Sequence, residues 1–571
     1  MYKYTIKKIA FAFVVLAFSL CANLSATEYT ISTANELSKL SLSAGDVVIM
    51  TKGTWDNQQL TFKGTGTESE PITLKAEVQG EVILTGDSKL EMSGKYLIVD
   101  GLTFQDGALE GDPVVEFRTS SSSAAYHCRL TNTAILNYNP WDPSEEYKWV
   151  SIYGQYNQVD HCSFVGKNHA GALMVIWIGD EANYHQINNN YFADIPELGD
   201  NGAEAIRIGT STNSMKDSYA TVEHNLFENC DGEIEIISNK SCENIYRYNT
   251  FRHCEGTLTL RHGNRCSVYG NFFFGDLDKD CGGVRIIGED HKVYNNYFQD
   301  LDDDGFRSAI SLTNGVPDSP LNRYFQVKNA QVVNNTIVNC KYPLTIGAGA
   351  NDELSLPPQN TVIANNVIAD YVSRTKKAVD YEDTPDVISY TNNMIYAPSK
   401  LGDTPDEVDN SDPKLEEATD FYRPTTNSPI VGFGSTSFSF LTSDIEGQER
   451  STTNDAGCDQ VAEDAISNGP LSAEDVGSEI GVSYEGASTK LTSSAFPSVK
   501  LSLYPNPSSG SFYVKNCINS NLNVFTMSGR LVFSQCDVNS DICITPNLDK
   551  GIYLVCVDTD SQTFFDRLIL I

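Results

Sequence analysis

Through the middle of the chain, short apolar stretches alternate with polar positions and return in phase, each opened by an asparagine. The clear copies are Asn190-Tyr-Phe192, Asn225-Leu-Phe227, Asn249-Thr-Phe251, Asn271-Phe-Phe273 and Asn296-Tyr-Phe298; Asn335-Thr-Ile337, Asn366-Val-Ile368 and Asn393-Met-Ile395 follow more weakly. Successive asparagines lie 35, 24, 22, 25, 39, 31 and 27 residues apart. A period in the low twenties, stretched by insertions, marks a solenoid whose loops leave from one face. Segments such as Ala220-Thr-Val-Glu-His224 predict the short strands between the asparagines, and no helical period runs through the region. The pattern predicts an all-β fold, a right-handed parallel β-helix over 27–461, with asparagines stacked at the turns and Phe, Ile and Cys filling the interior. Periodicity then lapses in a stretch rich in Ser, Glu, Gly and Ala, which predicts a linker over 462–498. Alternating strands between Gly, Pro and Asn turns predict a small β-sandwich over 499–571.

The first 26 residues read as an export signal: Lys3, Lys7 and Lys8, an apolar run from Ile9 to Leu20, and Leu24-Ser-Ala26 before a cleavage point. That run is too short for a comfortable transmembrane span, and no second one follows. With 40 basic and 75 acidic residues the net charge is −35, which excludes nucleic-acid binding through a broad basic surface. Fourteen cysteines in an exported chain suggest disulfides. Cys230, Cys242, Cys254 and Cys266, however, recur every twelve residues, which fits stacking in successive coils better. No C-x-x-C pair is present, which argues against zinc.

The repeat also gives each coil a phase. Asn201 lies 11 residues past Asn190; Glu233, Glu235 and Lys240 lie 8, 10 and 15 past Asn225; Arg261 lies 12 past Asn249 and Arg285 14 past Asn271. Coils stack at about 4.8 Å, so these six residues are expected on one wall. Two carboxylates two positions apart on a strand share a face, and with an amide oxygen they make an all-oxygen set suited to Ca²⁺. From Lys240 to Arg285 there are seven basic and five acidic residues, a local excess of +2 in an acidic chain. That grouping suits β-elimination on a polyuronate. Ca²⁺ on the uronate carboxylate stabilises the charge that develops when the C5 proton leaves, and a neutral lysine takes that proton.

Several runs resemble polysaccharide lyase family six, which includes alginate lyases and chondroitinase B. They are Glu233-Ile-Glu-Ile-Ile-Ser-Asn-Lys240, Leu260-Arg-His-Gly-Asn264, Gly283-Val-Arg-Ile-Ile-Gly288, Asn201-Gly-Ala-Glu-Ala-Ile-Arg-Ile-Gly209 and Lys148-Trp-Val-Ser-Ile-Tyr-Gly154. The resemblance implies Ca²⁺ at Asn201, Glu233 and Glu235, Lys240 as Brønsted base, Arg261 as Brønsted acid, and Lys148, His262 and Arg285 along the sugar subsites. It also implies an anionic polysaccharide substrate, with alginate ahead of dermatan sulfate. The end-piece resembles the C-terminal sorting domain of type IX secretion, found in the Bacteroidetes group. Its Tyr504-Pro-Asn-Pro507 entry, Ser528-Gly-Arg530 turn and Gly551-Ile-Tyr-Leu-Val555 strand carry that likeness. This implies passage through the type IX machinery to the exterior or the cell surface. Three other readings compete. A glycoside hydrolase needs paired carboxylic acids, for which Asp302-Asp-Asp304 is the only candidate. A C5-epimerase shares the proton abstraction. A surface adhesin keeps the ladders but has no use for Lys240 and Arg261 in register.

Overall fold

The computed structural model describes residues 26–478, with breaks at 200–201, 399–400, 403–404, 419–420, 436–437 and 451–453, and strands of an end-piece between 502 and 570. The predicted export signal up to Ser25, the second half of the expected linker, Asn201, and the Pro-Asn-Pro and Ser-Gly-Arg turns of the end-piece lie outside the described residues. The chain divides into two compact units, Met1–Ser483 and Tyr484–Ile571.

The large unit is a parallel β-helix. Among the described residues, three sheets of 14, 14 and 13 strands run its length, nearly every neighbour parallel. Each coil gives one strand to each sheet; Thr221–Glu223, Leu226–Cys230 and Glu235–Lys240 make up one coil. The asparagine ladder turns the chain from the first strand to the second. The residue before each ladder asparagine is left-handed, with φ 56° at Asn189, 52° at His224 and 56° at Tyr248, which bends the corner within one residue. Asn190 donates both its backbone N–H and its amide to Asn225 Oδ1, each at 2.9 Å. The same pair of bonds recurs coil by coil to Asn366 and Asn393. Buried amides that satisfy one another in this way are far cheaper than orphaned ones.

Inside, Phe164, Phe192, Phe227, Phe251, Phe273 and Phe298 stack at centroid spacings of 4.6 to 5.1 Å. Cys128, Cys162, Cys230, Cys254, Cys266, Cys281 and Cys340 are buried in the same core without disulfides, as small apolar residues. The coil strands end at Tyr396. Beyond them the chain folds back over the outside of the third sheet, where Leu415, Phe421, Ile430, Ile445 and Cys458 cover Phe272, Tyr297, Val338 and Met394. This arm continues into the stretch read as linker. Leu471 N donates to Thr250 Oγ1 at 2.8 Å, and Ser478 N to Ser163 Oγ at 3.0 Å. Residues 462–478 therefore lie along the solenoid, held by backbone N–H groups that donate to hydroxyls of the coils, which composition does not reveal.

The end-piece has a three-stranded and a four-stranded sheet, both antiparallel. Phe512, Val514, Leu522, Val524, Val555 and Leu568 form its core. Among the described residues, no helix is long and apolar enough to cross a membrane.

Candidate active site

One sheet carries the predicted chemistry on its outer face. Strand Ile206–Gly209 pairs with Glu235–Lys240, which pairs with Gly256–His262, then Cys281–Ile286, then Ile310–Thr313. Arg207, Ser238, Thr259, Arg285 and Ser311 line up across these strands. Lys240 faces Gly209 on one side and His262 on the other. Gly209 has φ +83°, and a Cβ there would meet Lys240 O at 2.6 Å, so the residue beside the lysine must be glycine. The register slips between Ser238 and Lys240. This bulge sets His262 opposite Lys240 and displaces Arg261 from that pairing, a re-aiming that bulges commonly provide beside active sites.

Arg261 Nε stands 3.4 Å from Glu235 Oε1, and Lys240 Nζ stands 3.8 Å from Glu204 Oε1. Glu235 also accepts a hydrogen bond from Ser238. Glu233 lies in the turn just before the strand rather than on it, and accepts the Gly202 N–H at 3.0 Å. Burial, then the neighbouring Glu204 and Glu235 charges, push its carboxyl up to about 8. Glu204 is buried, and neither carboxylate oxygen has a hydrogen-bond partner. The sequence reading passed over this residue, although it is the one acid in the Asn201-Gly-Ala-Glu204 run. Among the described residues, no three acidic, histidine or cysteine groups already converge on one point. Three buried carboxylates crowded together, one with both oxygens unbonded, nonetheless fit a hard cation with oxygen ligands.

The remaining predicted residues are more scattered. His262 is buried, with Nε2 3.3 Å from Ser211 Oγ; burial, then Arg261 and Lys240, hold its ring down to about 3, so it is neutral. Arg285 is only 2% exposed. Its guanidinium lies 3.7 Å from the Phe306 ring centroid and 5.2 Å from that of Tyr324, and its Nη2 has no partner. Tyr324 belongs to a long loop that reaches back over the sheet, where Arg261 Nη1 donates to Arg323 O at 3.3 Å and Ser214 Oγ to Leu321 O at 3.2 Å. Lys148 pairs with Glu146 at 2.7 Å. Through Trp149, Leu173 and Glu204 backbone bonds it sits two coils before Glu204, at the edge of the group. Beside it, Lys167 is fully buried and donates to Gly171 O at 2.6 Å and to His169 O; burial, then Lys148, lower its ammonium to about 7. The Asp302 run is engaged elsewhere: Asp302 pairs with Arg374 at 3.1 Å and Lys341 at 3.6 Å, and Asp303 with Arg307 at 3.4 Å.

The family model for chondroitinase B matches residues 31–433, and that for the secretion system C-terminal sorting domain matches residues 502–571. The sorting domain marks the chain for export, to the exterior or the cell surface. A search of curated proteins gives no match. Among solved structures, the family-six alginate lyase AlyGC is 32% identical with a TM-score of 0.70; the match covers 85% of this chain and 60% of that one. This chain thus spans under two thirds of AlyGC. A family-six polysaccharide lyase from Pseudopedobacter saltans is 30% identical, TM-score 0.60, covering 79% of this chain and 99% of that one. A mannuronic-acid-specific family-six lyase from human gut microbiota is 28% identical, TM-score 0.61, covering 68% and 91%. With the chondroitinase B match running along most of the solenoid and one relative covered almost end to end, the chain belongs to polysaccharide lyase family six.

Proposed function

We propose that the protein cleaves alginate by β-elimination, with calcium as its cofactor. The observation that carries this reading is the pairing of Lys240 and Arg261 with a knot of buried carboxylates on one face. Lys240, on the outer face with its ammonium 3.8 Å from Glu204, takes the C5 proton of a bound uronate. The C5–H electron pair forms the C4=C5 double bond, and the C4–O bond breaks with its pair on oxygen. Arg261, steadied by Glu235 and stacked 4.1 Å from the Tyr324 ring centroid, stands by that oxygen and eases its departure. Glu233 and Glu235, with Glu204 beside them and the amide of Asn201 that the family resemblance implies, would hold Ca²⁺, which supplies positive charge against the uronate carboxylate. His262, neutral and tied to Ser211, keeps the floor under Lys240 without adding charge. Lys148 adds positive charge at the edge of the site, whereas Arg285, covered by Phe306 and Tyr324, is not open to a sugar, contrary to the expectation from the sequence.

Cleavage of dermatan sulfate is the second reading, favoured by the chondroitinase B match. Product NMR after digestion of each polymer tests both. Unsaturated uronate ends from alginate support the first, and such ends from dermatan sulfate alone support the second. Inverted C5 centres in an uncut polymer would replace elimination with epimerisation.

A further inference from the structure

The column that contains Lys240 continues toward the N-terminal coils. Glu116 pairs with Ser151, Ile152 with Ile176, Ile176 with Ile208, and Gly209 with Lys240. Carrying that register one or two positions onward sets Arg118, Tyr153, Trp177 and Gly209 in line ahead of Lys240. The side chains meet accordingly. The Arg118 guanidinium lies 3.7 Å from the Tyr153 ring centroid, Tyr153 stacks on Trp177 at 5.7 Å and 8°, and Arg207 stands 5.8 Å beyond. The order is cation, ring, ring, cation, on the outer face and half-buried.

Stacking on a ring leaves a guanidinium's N–H edge free. Arg118 spends Nε on Glu116 at 2.7 Å, and Arg207 has a buried Nε with no partner. The ring faces cover one another, so an incoming chain meets ring rims and guanidinium edges, a surface that suits carboxylate-bearing sugars. On the far side of Lys240 the way is roofed, with Arg285 beneath Phe306 and Tyr324 and Arg261 bonded to Arg323 O. Beside Arg118, Glu116 stands opposite Glu91 of the preceding coil, and the two carboxylates are paired with Arg118 and Lys89.

We propose that Arg118, Tyr153 and Trp177 form distal subsites that hold a polyuronate chain running from Lys240 toward the N-terminal coils. This rests on the polyuronate reading above. Four coil steps of about 4.8 Å give a track of about 19 Å, room for several sugars. The bound chain is therefore lopsided, long on the Arg118 side and short on the roofed side.

The test uses oligouronates of increasing length and the full chain. In the parent protein, kcat/KM rises with each added sugar until the track is filled. Arg118→Ala and Trp177→Ala flatten that rise, through KM rather than kcat, with about a tenfold loss on the longest oligomer and a smaller loss on shorter ones. Calorimetric binding of a hexauronate to Lys240→Ala, with and without Arg118→Ala, reads the same contact without turnover. About tenfold weaker binding in the double variant is expected. Equal losses at every length, or hexauronate binding indifferent to Arg118, would overturn the distal track. Tight hexauronate binding that depends on Arg118, but without turnover in the parent protein, would support the track and sink the lyase reading. Absence of any hexauronate binding would sink both. Unchanged melting of Arg118→Ala separates these outcomes from misfolding.

Discussion

Asn225 and Lys240 are fifteen residues apart in one coil and sit on opposite kinds of wall. Along the ladder wall one residue type recurs, every amide is bonded to the next, and none of the ladder asparagines keeps a buried group without a partner. Along the site wall the repeat breaks. Arg207, Ser238, Thr259 and Arg285 succeed one another in a single column. There both Glu204 oxygens, Arg207 Nε, His262 Nδ1 and Arg285 Nη2 are buried without hydrogen-bond partners. One wall uses its polar groups to hold the fold. The other holds polar groups unspent, at a cost in stability that a ligand can repay.

If the two walls differ in this way, changes on them should separate activity from stability. The largest effect belongs to Lys240→Ala: turnover on alginate falls about a thousandfold or more, while thermal melting stays close to that of the parent. A comparable drop in melting would make Lys240 a structural residue. On the other wall, Asn249→Ala removes the acceptor of two Asn225 bonds and the donor to Asn271 Oδ1 and Val222 O. It should cost about 3 kcal/mol in denaturant unfolding, with KM unchanged in the folded fraction.

Calcium gives the next effect. At a hundredfold excess over its Kd it should stabilise the parent by about 2.7 kcal/mol. Glu233→Gln should lose most of that gain in a melting titration, and Asn249→Ala should keep it. Glu204→Gln, by removing one crowded charge, should leave the calcium-free protein no less stable while shrinking the calcium response. The smallest effect is on pH. Burial holds His185 down to about 3 in the folded chain, below its ordinary value of 6.5. The unfolded chain therefore binds the extra proton between those values, and stability present above pH 6.5 is lost as pH falls. At pH 5.5 the loss is about 1 kcal/mol from this ring, and His185→Asn should remove that part of the slope in unfolding measured against pH.

Much of this contrast was legible in the sequence because a ladder must repeat to work. The Asn-x-Phe copies gave the fold, and their phase brought Glu233, Glu235, Lys240 and Arg261 to one face. What escaped depended on features without a period. The bulge after Ser238 shifts Arg261 relative to Lys240, and no spacing rule encodes it. Glu204 gained its importance from burial beside two other acids, which is a property of neighbouring coils. The loop that carries Tyr324 over Arg285 is an insertion, so the ladder phase gave no hint that this arginine would be covered. Residues 462–478 looked like a tether because their contacts are largely backbone bonds to distant coils, such as Gly477 N to Asn189 O at 2.9 Å.

The central claim is that the site wall carries out elimination on a uronate. Ultraviolet absorbance of the unsaturated uronate, followed while the full chain acts on alginate with calcium present and alongside Lys240→Ala, tests it most directly. The account predicts a steady rise for the parent chain, a flat trace for Lys240→Ala, and a flat trace for the parent in chelator. An undiminished rise from Lys240→Ala, or a flat trace from the parent on both alginate and dermatan sulfate, would contradict it.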